Sequence, residues 1–308
     1  MTGTHDGRFI RRARPEEAQA LADLQNRSST HWGYPDGFFD WAPGAHHIPE
    51  AYVRDNPVYL LEEAGRPLGF YGFTEDQGEL LLDKLFVDLD AIGTGCGKQL
   101  WRHAVEVARD LGRDEIVIGS DPNAAAFYRA MGAVWYAEKP TPEPLWTVQL
   151  FRYAIPPIAI RPARIDEAAL LHDLTGRSSL HWGYEPEFLD WEPEAIAVTP
   201  EFLANATAFV LEENGRVVGY YALVSKPPDL FLDKLFVEPD HIGTGCGKRL
   251  WLHAMETAHA MGYTDVMFDA DPNAAPFYRA MGAEWLREIE TSRPGWNLQV
   301  FRYDLTSP

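Results

Sequence analysis

Residues 10–155 align with residues 160–305 at a constant offset of 150, without a gap. Ile10-Arg11-Arg12-Ala13-Arg14 matches Ile160-Arg161-Pro162-Ala163-Arg164, and Phe151-Arg152-Tyr153 matches Phe301-Arg302-Tyr303. All ten tryptophans fall into five pairs at this offset, and 16 of the 20 residues of 82–101 recur in 232–251. Solenoid units repeat every ~20–50 residues, so this longer period is a duplicated domain. A chain of 308 residues holds two domains of ordinary size. The join falls at Ala154-Ile155-Pro156-Pro157-Ile158, a short stiff linker. It predicts domains at 1–155 and 156–308, held close together.

Each half carries one glycine-rich turn. Ile92-Gly93-Thr94-Gly95-Cys96-Gly97-Lys98 recurs letter for letter as Ile242 to Lys248. The apolar run Leu80 to Val87 precedes it, and Leu100, Ala104, Ala108 and Leu111 share one helix face after it. The order is strand, glycine turn, helix. Such a turn offers backbone N–H groups at the positive end of a helix dipole, which suits a phosphate. A tight turn without a ligand is the other reading of the loop alone.

Composition narrows the function classes. The net charge is −19, which argues against nucleic acid or an acidic membrane as partner and favours the approach of a cationic substrate such as an amine. Solubility alone is the competing explanation of that acidity. No apolar run approaches the ~20 residues of a membrane span, and Met1 to Arg8 lacks a signal-peptide stretch. A cytoplasmic location is expected. Cys96 and Cys246 sit inside the glycine turns without a neighbouring thiol or metal-type spacing, so neither a disulfide nor a metal site is expected. The oligomeric state is not legible.

Along the first half, Arg8 to Arg14 reads as a strand and Pro15-Glu16-Glu17 opens a helix ending in Asn26 to Ser29. His31-Trp32-Gly33-Tyr34-Pro35 is a turn, and Phe38 to Trp41 a short helix. Val58 to Leu61 and Pro67 to Phe73 form a hairpin around Gly65. Gly112 stands where the long helix should stop. Glu115 to Ile118 is a strand, after which Asp121 caps a helix with Pro122 at its first position. Two strands near Val134–Ala137 and Trp146–Tyr153 finish the domain. The pattern predicts an α/β domain with a mixed, mostly antiparallel sheet flanked by helices.

The strand ending in Leu85-Phe86-Val87, the loop Gly93-x-Gly95-x-Gly97-Lys98 and the run Asp121-Pro122-Asn123-Ala124-x-x-Phe127-Tyr128-Arg129-Ala130-Met131-Gly132-Ala133 together resemble the GNAT superfamily of acyl-CoA-dependent N-acyltransferases. The second half repeats all three, with 12 of 13 residues of 121–133 identical in 271–283. The resemblance implies a splayed sheet in each domain, the fourth strand parting from the fifth, with acetyl-CoA in the gap. It implies cofactor contacts at Leu85, Phe86, Val87, Gly93, Thr94, Gly95, Cys96, Gly97, Lys98 and Asn123. The matching set is Leu235, Phe236, Val237, Gly243, Thr244, Gly245, Cys246, Gly247, Lys248 and Asn273. One departure is that Ile92 and Ile242 replace the Gln or Arg that the family usually carries there, which removes a polar side chain but no backbone donor. Cys96 also reads as a small filler.

Acyl transfer to an amine needs a deprotonated nucleophile and a protonated leaving group. The resemblance implies Tyr128 and Tyr278 as proton donors to the leaving thiolate. A phenol with a pKa of ~10 keeps its proton at neutral pH. Asp83 and Asp233 are the candidate bases. Strand alternation places Leu81, Asp83, Leu85 and Val87 on one face, and a salt bridge to a neighbouring basic side chain is the competing role. His31, Trp32 and Tyr34, with His181, Trp182 and Tyr184, are candidate acceptor-binding residues, including cation–π contact to an ammonium. Closing a core edge is their alternative. His103 and His253 read as surface residues. The expected function is N-acetyl transfer from acetyl-CoA to a small-molecule amine, directly, without a covalent enzyme intermediate. A different acyl donor, an acyl-CoA sensor, or a drug-binding resistance protein without turnover remain open alternatives.

Overall fold

A computed structural model describes residues 8–31, 47–140, 147–190, 193–293 and 295–306. The chain divides into two compact units, Met1–Pro156 and Pro157–Pro308. The first contains β1 (Arg8–Arg12), α1 (Ala18–Thr30), α2 (Glu50–Asp55), β2 (Val58–Glu63), β3 (Arg66–Asp76), β4 (Glu79–Val87), α3 (Cys96–Asp110), β5 (Glu115–Ser120), α4 (Ala125–Ala130), β6 (Val134–Pro140) and β7 (Thr147–Ala154). The second contains β8 (Ile158–Pro162), α5 (Ala168–Leu180), α6 (Pro193–Ile196), α7 (Pro200–Asn205), β9 (Thr207–Glu213), β10 (Arg216–Lys226), β11 (Asp229–Val237), α8 (Cys246–Ala260), β12 (Asp265–Ala270), α9 (Ala275–Ala280), β13 (Glu284–Glu290) and β14 (Asn297–Asp304). Among the described residues no helix is long and apolar enough to cross a membrane.

Each unit has one seven-stranded sheet, ordered β1-β2-β3-β4-β5-β7-β6 in the first and β8-β9-β10-β11-β12-β14-β13 in the second. All neighbours pair antiparallel except β4 with β5 and β11 with β12. Those two parallel ladders are short. β4 meets β5 only at Leu81↔Val117 and Leu82↔Ile118. β11 meets β12 only at Phe231↔Met267. Beyond these points the strands part, as the expected splay requires.

The core lies on both faces of each sheet, as alternation demands. In the first unit Leu61, Tyr71, Ile116 and Ile118 pack with Leu100, Trp101 and Ala104 of α3 and Tyr128 of α4. On the opposite face Leu60 and Phe70 pack with Leu21 and Leu24 of α1 and Val53 of α2.

Two local expectations change. Pro15–Glu17 is a 3-10 turn ahead of α1. The helix after Asp121 starts at Ala125. Asp121 Oδ1 instead accepts from the N–H groups of Asn123 at 2.7 Å and Ala124 at 3.1 Å, closing the turn before it. The helix read at Phe38 to Trp41 lies outside the described residues. Gly112 has φ +73, the left-handed geometry of a residue just past a helix end.

An ion-pair cluster ties β1 and β2 to the turn before α1. Arg11 Nη1 and Nη2 donate to Glu17 at 2.9 and 2.7 Å, and its Nε donates to Glu62 at 3.0 Å. Arg161, Glu167 and Glu212 repeat the arrangement. The Arg11 hydrogen bonds hold the Glu17 carboxyl down at about 2 from its ordinary 4.5. A carboxyl with a depressed folded-state pKa stabilises above its ordinary pKa and loses that contribution as pH falls through the folded value. Glu17→Gln is therefore expected to cost about 1–3 kcal/mol at pH 7. In urea unfolding, the gap from wild type should shrink below about pH 4.5 and nearly close by about pH 2.

Candidate active site

The site is assembled around the point where β4 leaves β5. Gly72 pairs with Lys84 and Phe73 with Leu82, so Asp83 is the extra residue of a β-bulge. Asp233 is the extra residue of the matching bulge in β11. The alternation expected to put Leu81, Asp83, Leu85 and Val87 on one face fails for this reason. Before the bulge Leu80 and Leu82 face α3; after it Leu85 and Val87 do. Phe86 packs on the α1 side. In the second unit Leu235 and Val237 face α8, and Phe236 packs with the α5 cluster.

The bulge also turns two consecutive residues toward the same face. Lys84 Nζ lies 3.1 Å from Asp83 Oδ2 and 5.2 Å from the Tyr52 ring centroid. The Tyr52 hydroxyl donates to Asp83 Oδ2 at 2.9 Å. Burial first, then the Asp83 charge, push the Tyr52 pKa well above its ordinary value, so this phenol stays protonated. In the second unit Lys234 pairs with Asp233 and sits 5.1 Å from the ring of Phe202, which replaces Tyr52. Asp233 has no tyrosine hydroxyl there.

Tyr52 and Phe202 were missed in the sequence because α2 was not expected. The signal is plainer in the second half, where Thr199-Pro200-Glu201 is a helix start. Thr199 Oγ1 accepts from the N–H of Phe202 at 3.0 Å.

The glycine turns end at the mouths of α3 and α8. Gly93 and Gly95 have φ +80 and +89, and among the described residues nothing lies within 4 Å of where a Cβ would stand at either. The outer side of the turn is therefore open. The first-turn N–H groups at Cys96, Gly97 and Lys98 are of the kind a helix leaves without an internal acceptor. At Gly97 an added Cβ would come 3.5 Å from Phe127 of α4 and 3.7 Å from Val87 of β4. The turn, the end of β4 and α4 thus converge at one glycine, and Gly247 repeats this with Phe277 and Val237. Cys96 and Cys246 are buried, and the Thr94 and Thr244 hydroxyls lie 3.2 Å from their sulfurs. Lys98 and Lys248 are exposed. Backbone donors, open space outside the turn and the parted strands fit the diphosphate and pantetheine arm of coenzyme A.

Tyr128 and Tyr278 are buried beneath these turns. Tyr128 packs on Trp101, Phe127 and Phe151, and Tyr278 on Trp251, Phe268 and Phe301. Burial raises both phenol pKa values above the ordinary range, so both keep their protons at neutral pH. Neither hydroxyl has a hydrogen-bond partner among the described residues.

Of the acceptor-loop candidates, Trp32 and Tyr34 lie outside the described residues, and His31 is exposed at the end of α1. The second unit is more informative. The Tyr184 hydroxyl donates to Asp271 Oδ2 at 2.9 Å and accepts from Asn273 Nδ2 at 2.8 Å and Trp296 Nε1 at 3.2 Å. Two separately expected groups, the acceptor loop and the turn at Asn273, are joined through this phenol. Burial pushes the Tyr184 pKa up to about 12. His181 and Trp182 stack edge-on at 5.3 Å. Asn123 is exposed, its backbone N–H held by Asp121.

His103 and His253 depart from the surface expectation. His103 Nδ1 lies 2.7 Å from the hydroxyl of buried Tyr71, and its ring sits 4.9 Å from Tyr59. Desolvation pulls its pKa down to about 4. His253 makes the same contact with Tyr221. These histidines fasten the long helix to the sheet.

The family model described as the acetyltransferase (GNAT) family matches residues 19–133 and again 173–283. The chain belongs to this family. A relative, the peptidyl-lysine N-acetyltransferase YjaB of Salmonella typhimurium, is 29% identical over 129 residues, covering 40% of this chain and 81% of that protein. Among solved structures, a GCN5-related N-acetyltransferase from Rhodopseudomonas palustris is 22% identical, with a TM-score of 0.39, over 49% of this chain and 99% of its own. The PaiA N-acetyltransferase of Thermoplasma acidophilum, solved with coenzyme A, is 17% identical, with a TM-score of 0.40, over 48% of this chain and 99% of its own.

Proposed function

We propose that this GNAT-family chain transfers the acetyl group of acetyl-CoA to the amine of a small molecule, directly and within each unit. The observation that carries this is the twofold occurrence of one arrangement: strands that part, and an open glycine turn at a helix mouth beside the parting point. When bound, acetyl-CoA supplies the activated acyl carbon. Backbone N–H groups of Gly95 to Lys98 and of Gly245 to Lys248 would hold the diphosphate, those of Thr94 and Thr244 being taken by the Ala91 and His241 carbonyls, and the free edges of Leu85 to Val87 and Leu235 to Val237 would orient the pantetheine arm. Asn123 and Asn273 flank the cofactor.

Tyr128 and Tyr278 hold a proton for the leaving sulfur, and their burial keeps that proton in place at neutral pH. Asp83 and Asp233 anchor the acceptor ammonium or take its proton. His31, Trp32 and Tyr34 border the acceptor in the first unit, as His181, Trp182 and Tyr184 do in the second. The acidic net charge of −19 supports a cationic acceptor.

The test is thiol release from acetyl-CoA with a panel of small amines and lysine peptides, preceded by mass spectrometry of the purified chain for bound coenzyme. Turnover with small amines and little with peptides is the expected result. Turnover with peptides alone would replace the acceptor class. Tyr128→Phe and Tyr278→Phe, measured separately and together, are expected to lower kcat by roughly 10–100-fold, with little change in KM. Unchanged turnover in the double variant would remove the tyrosines from the reaction.

A further inference from the structure

The two units differ at the parted strands. Position 119 is glycine in the first unit, and its counterpart in the second is Asp269. Phe231 of β11 and Met267 of β12 are the only paired residues of that parallel ladder, so Asp233 and Asp269 each lie two residues beyond it. Val266, Phe268, Leu230 and Leu232 belong to the core under α8. By alternation Asp233 and Asp269 lie on the opposite face, at one level, on the two banks of the gap.

On that face a cavity of about 400 Å³ is lined by Thr199, Glu201, Phe202, Asn205, Val224 and Asp233. Its wall is aromatic at Phe202, and the carboxylates of Glu201 and Asp233 line it; Asp269 stands outside the lining, across the gap from Asp233. Asp233 is already paired with the Lys234 ammonium. Asp269 has no hydrogen-bond or ion-pair partner among the described residues. Its side chain is exposed on the open side of the gap. Partial desolvation raises its pKa, while Arg287 and Lys226 pull it down and the charge of Asp233 pushes it up. A carboxylate facing the gap without a hydrogen-bonded cation is suited to receive a proton. In the first unit the corresponding place has no side chain, and Asp83 is covered by the Tyr52 hydroxyl.

We propose that Asp269 is a catalytic residue of the second unit alone, taking the proton of a compact aliphatic ammonium that enters by the Glu201–Phe202–Asp233 cavity. This rests on the acetyl-transfer reading above. The acceptor nitrogen sheds two protons overall. Asp269 takes the first and passes it to water. The freed lone pair forms the bond to the acetyl carbon as the carbon–sulfur electron pair goes to the sulfur, which receives the second proton.

The test uses the full chain and 1,4-diaminobutane as probe. Without acetyl-CoA, the aspartate carboxyls are titrated by ¹³C NMR, with Asp269→Asn identifying the Asp269 resonance. The expected result is a midpoint above that of an ordinary aspartate, which the diamine lowers and 1,4-butanediol does not. A midpoint indifferent to saturating diamine overturns the proposal, whatever the activity. In a chain carrying Gly95→Val to disable the first unit, Asp269→Asn is expected to lower kcat roughly 10–100-fold with KM changed less than about threefold, and Asp269→Glu to recover part of it. Unchanged kcat in Asp269→Asn also overturns the proposal. Absence of thiol release by wild type with every amine would instead overturn acetyl transfer, and the carboxyl titration would still decide whether Asp269 meets the amine.

Discussion

Replacing Gly95 and Gly245 together by valine is expected to weaken coenzyme A binding by about 100-fold or more, equivalent to about 2.7 kcal/mol, with both units still folded. Both glycines have φ +89, where an L side chain is strained by roughly 1–2 kcal/mol. That cost falls on two separate units and is small beside the ~5–15 kcal/mol of a typical domain. The larger effect is steric. Among the described residues nothing lies within 4 Å of either Cβ position, so the new side chain stands in the open space outside the turn. In the proposed binding mode a diphosphate comes through that space to reach the backbone N–H groups. Isothermal titration with coenzyme A measures the loss, and far-UV circular dichroism checks the fold. Unchanged affinity would place the diphosphate somewhere else.

The second large effect is on stability. Trp251 is 1% exposed and packs edge-on against Phe268, Tyr278 and Tyr303. Trp251→Ala should cost the second unit about 3–5 kcal/mol, because the surrounding rings cannot collapse into the space. Urea unfolding should then show an early transition. Trp101→Ala should do the same for the first unit, where the ring is 3% exposed and packs on Tyr128 and Tyr153. A loss below about 1 kcal/mol would mean the site repacks freely. Because Tyr278 rests on Trp251, turnover by the second unit should fall as well.

Much of the fold was readable because duplication doubled each signal. The strand, glycine turn and long helix were legible from apolar spacing and three glycines, since those features depend on local backbone chemistry. The bulges were not. A bulge is a property of pairing between strands, and Leu80 to Val87 reads as an unbroken alternation until Gly72 and Phe73 are set against it. Helix α2 was lost beside the tryptophan-rich stretch, although Thr199-Pro200-Glu201 announces its counterpart. His103 looked like a polar residue on an exposed helix flank. Only the fold brings it to the hydroxyl of Tyr71, a strand residue far away in sequence. Asp269 is legible in the sequence only as one difference between the halves, at the place of Gly119, and its position across from Asp233 needs the strand register.

The extra residue at Asp83 has a consequence for how this strand can vary. Excise that single position and the ladder closes into plain alternation. Leu82 would still pair with Phe73 and Lys84 with Gly72, so Leu85 and Val87 would keep their places in the α3 core and Phe86 its place on the α1 side. What would go is the carboxylate itself and the local bend that turns it outward. A one-codon deletion here would silence the chemistry and spare the architecture.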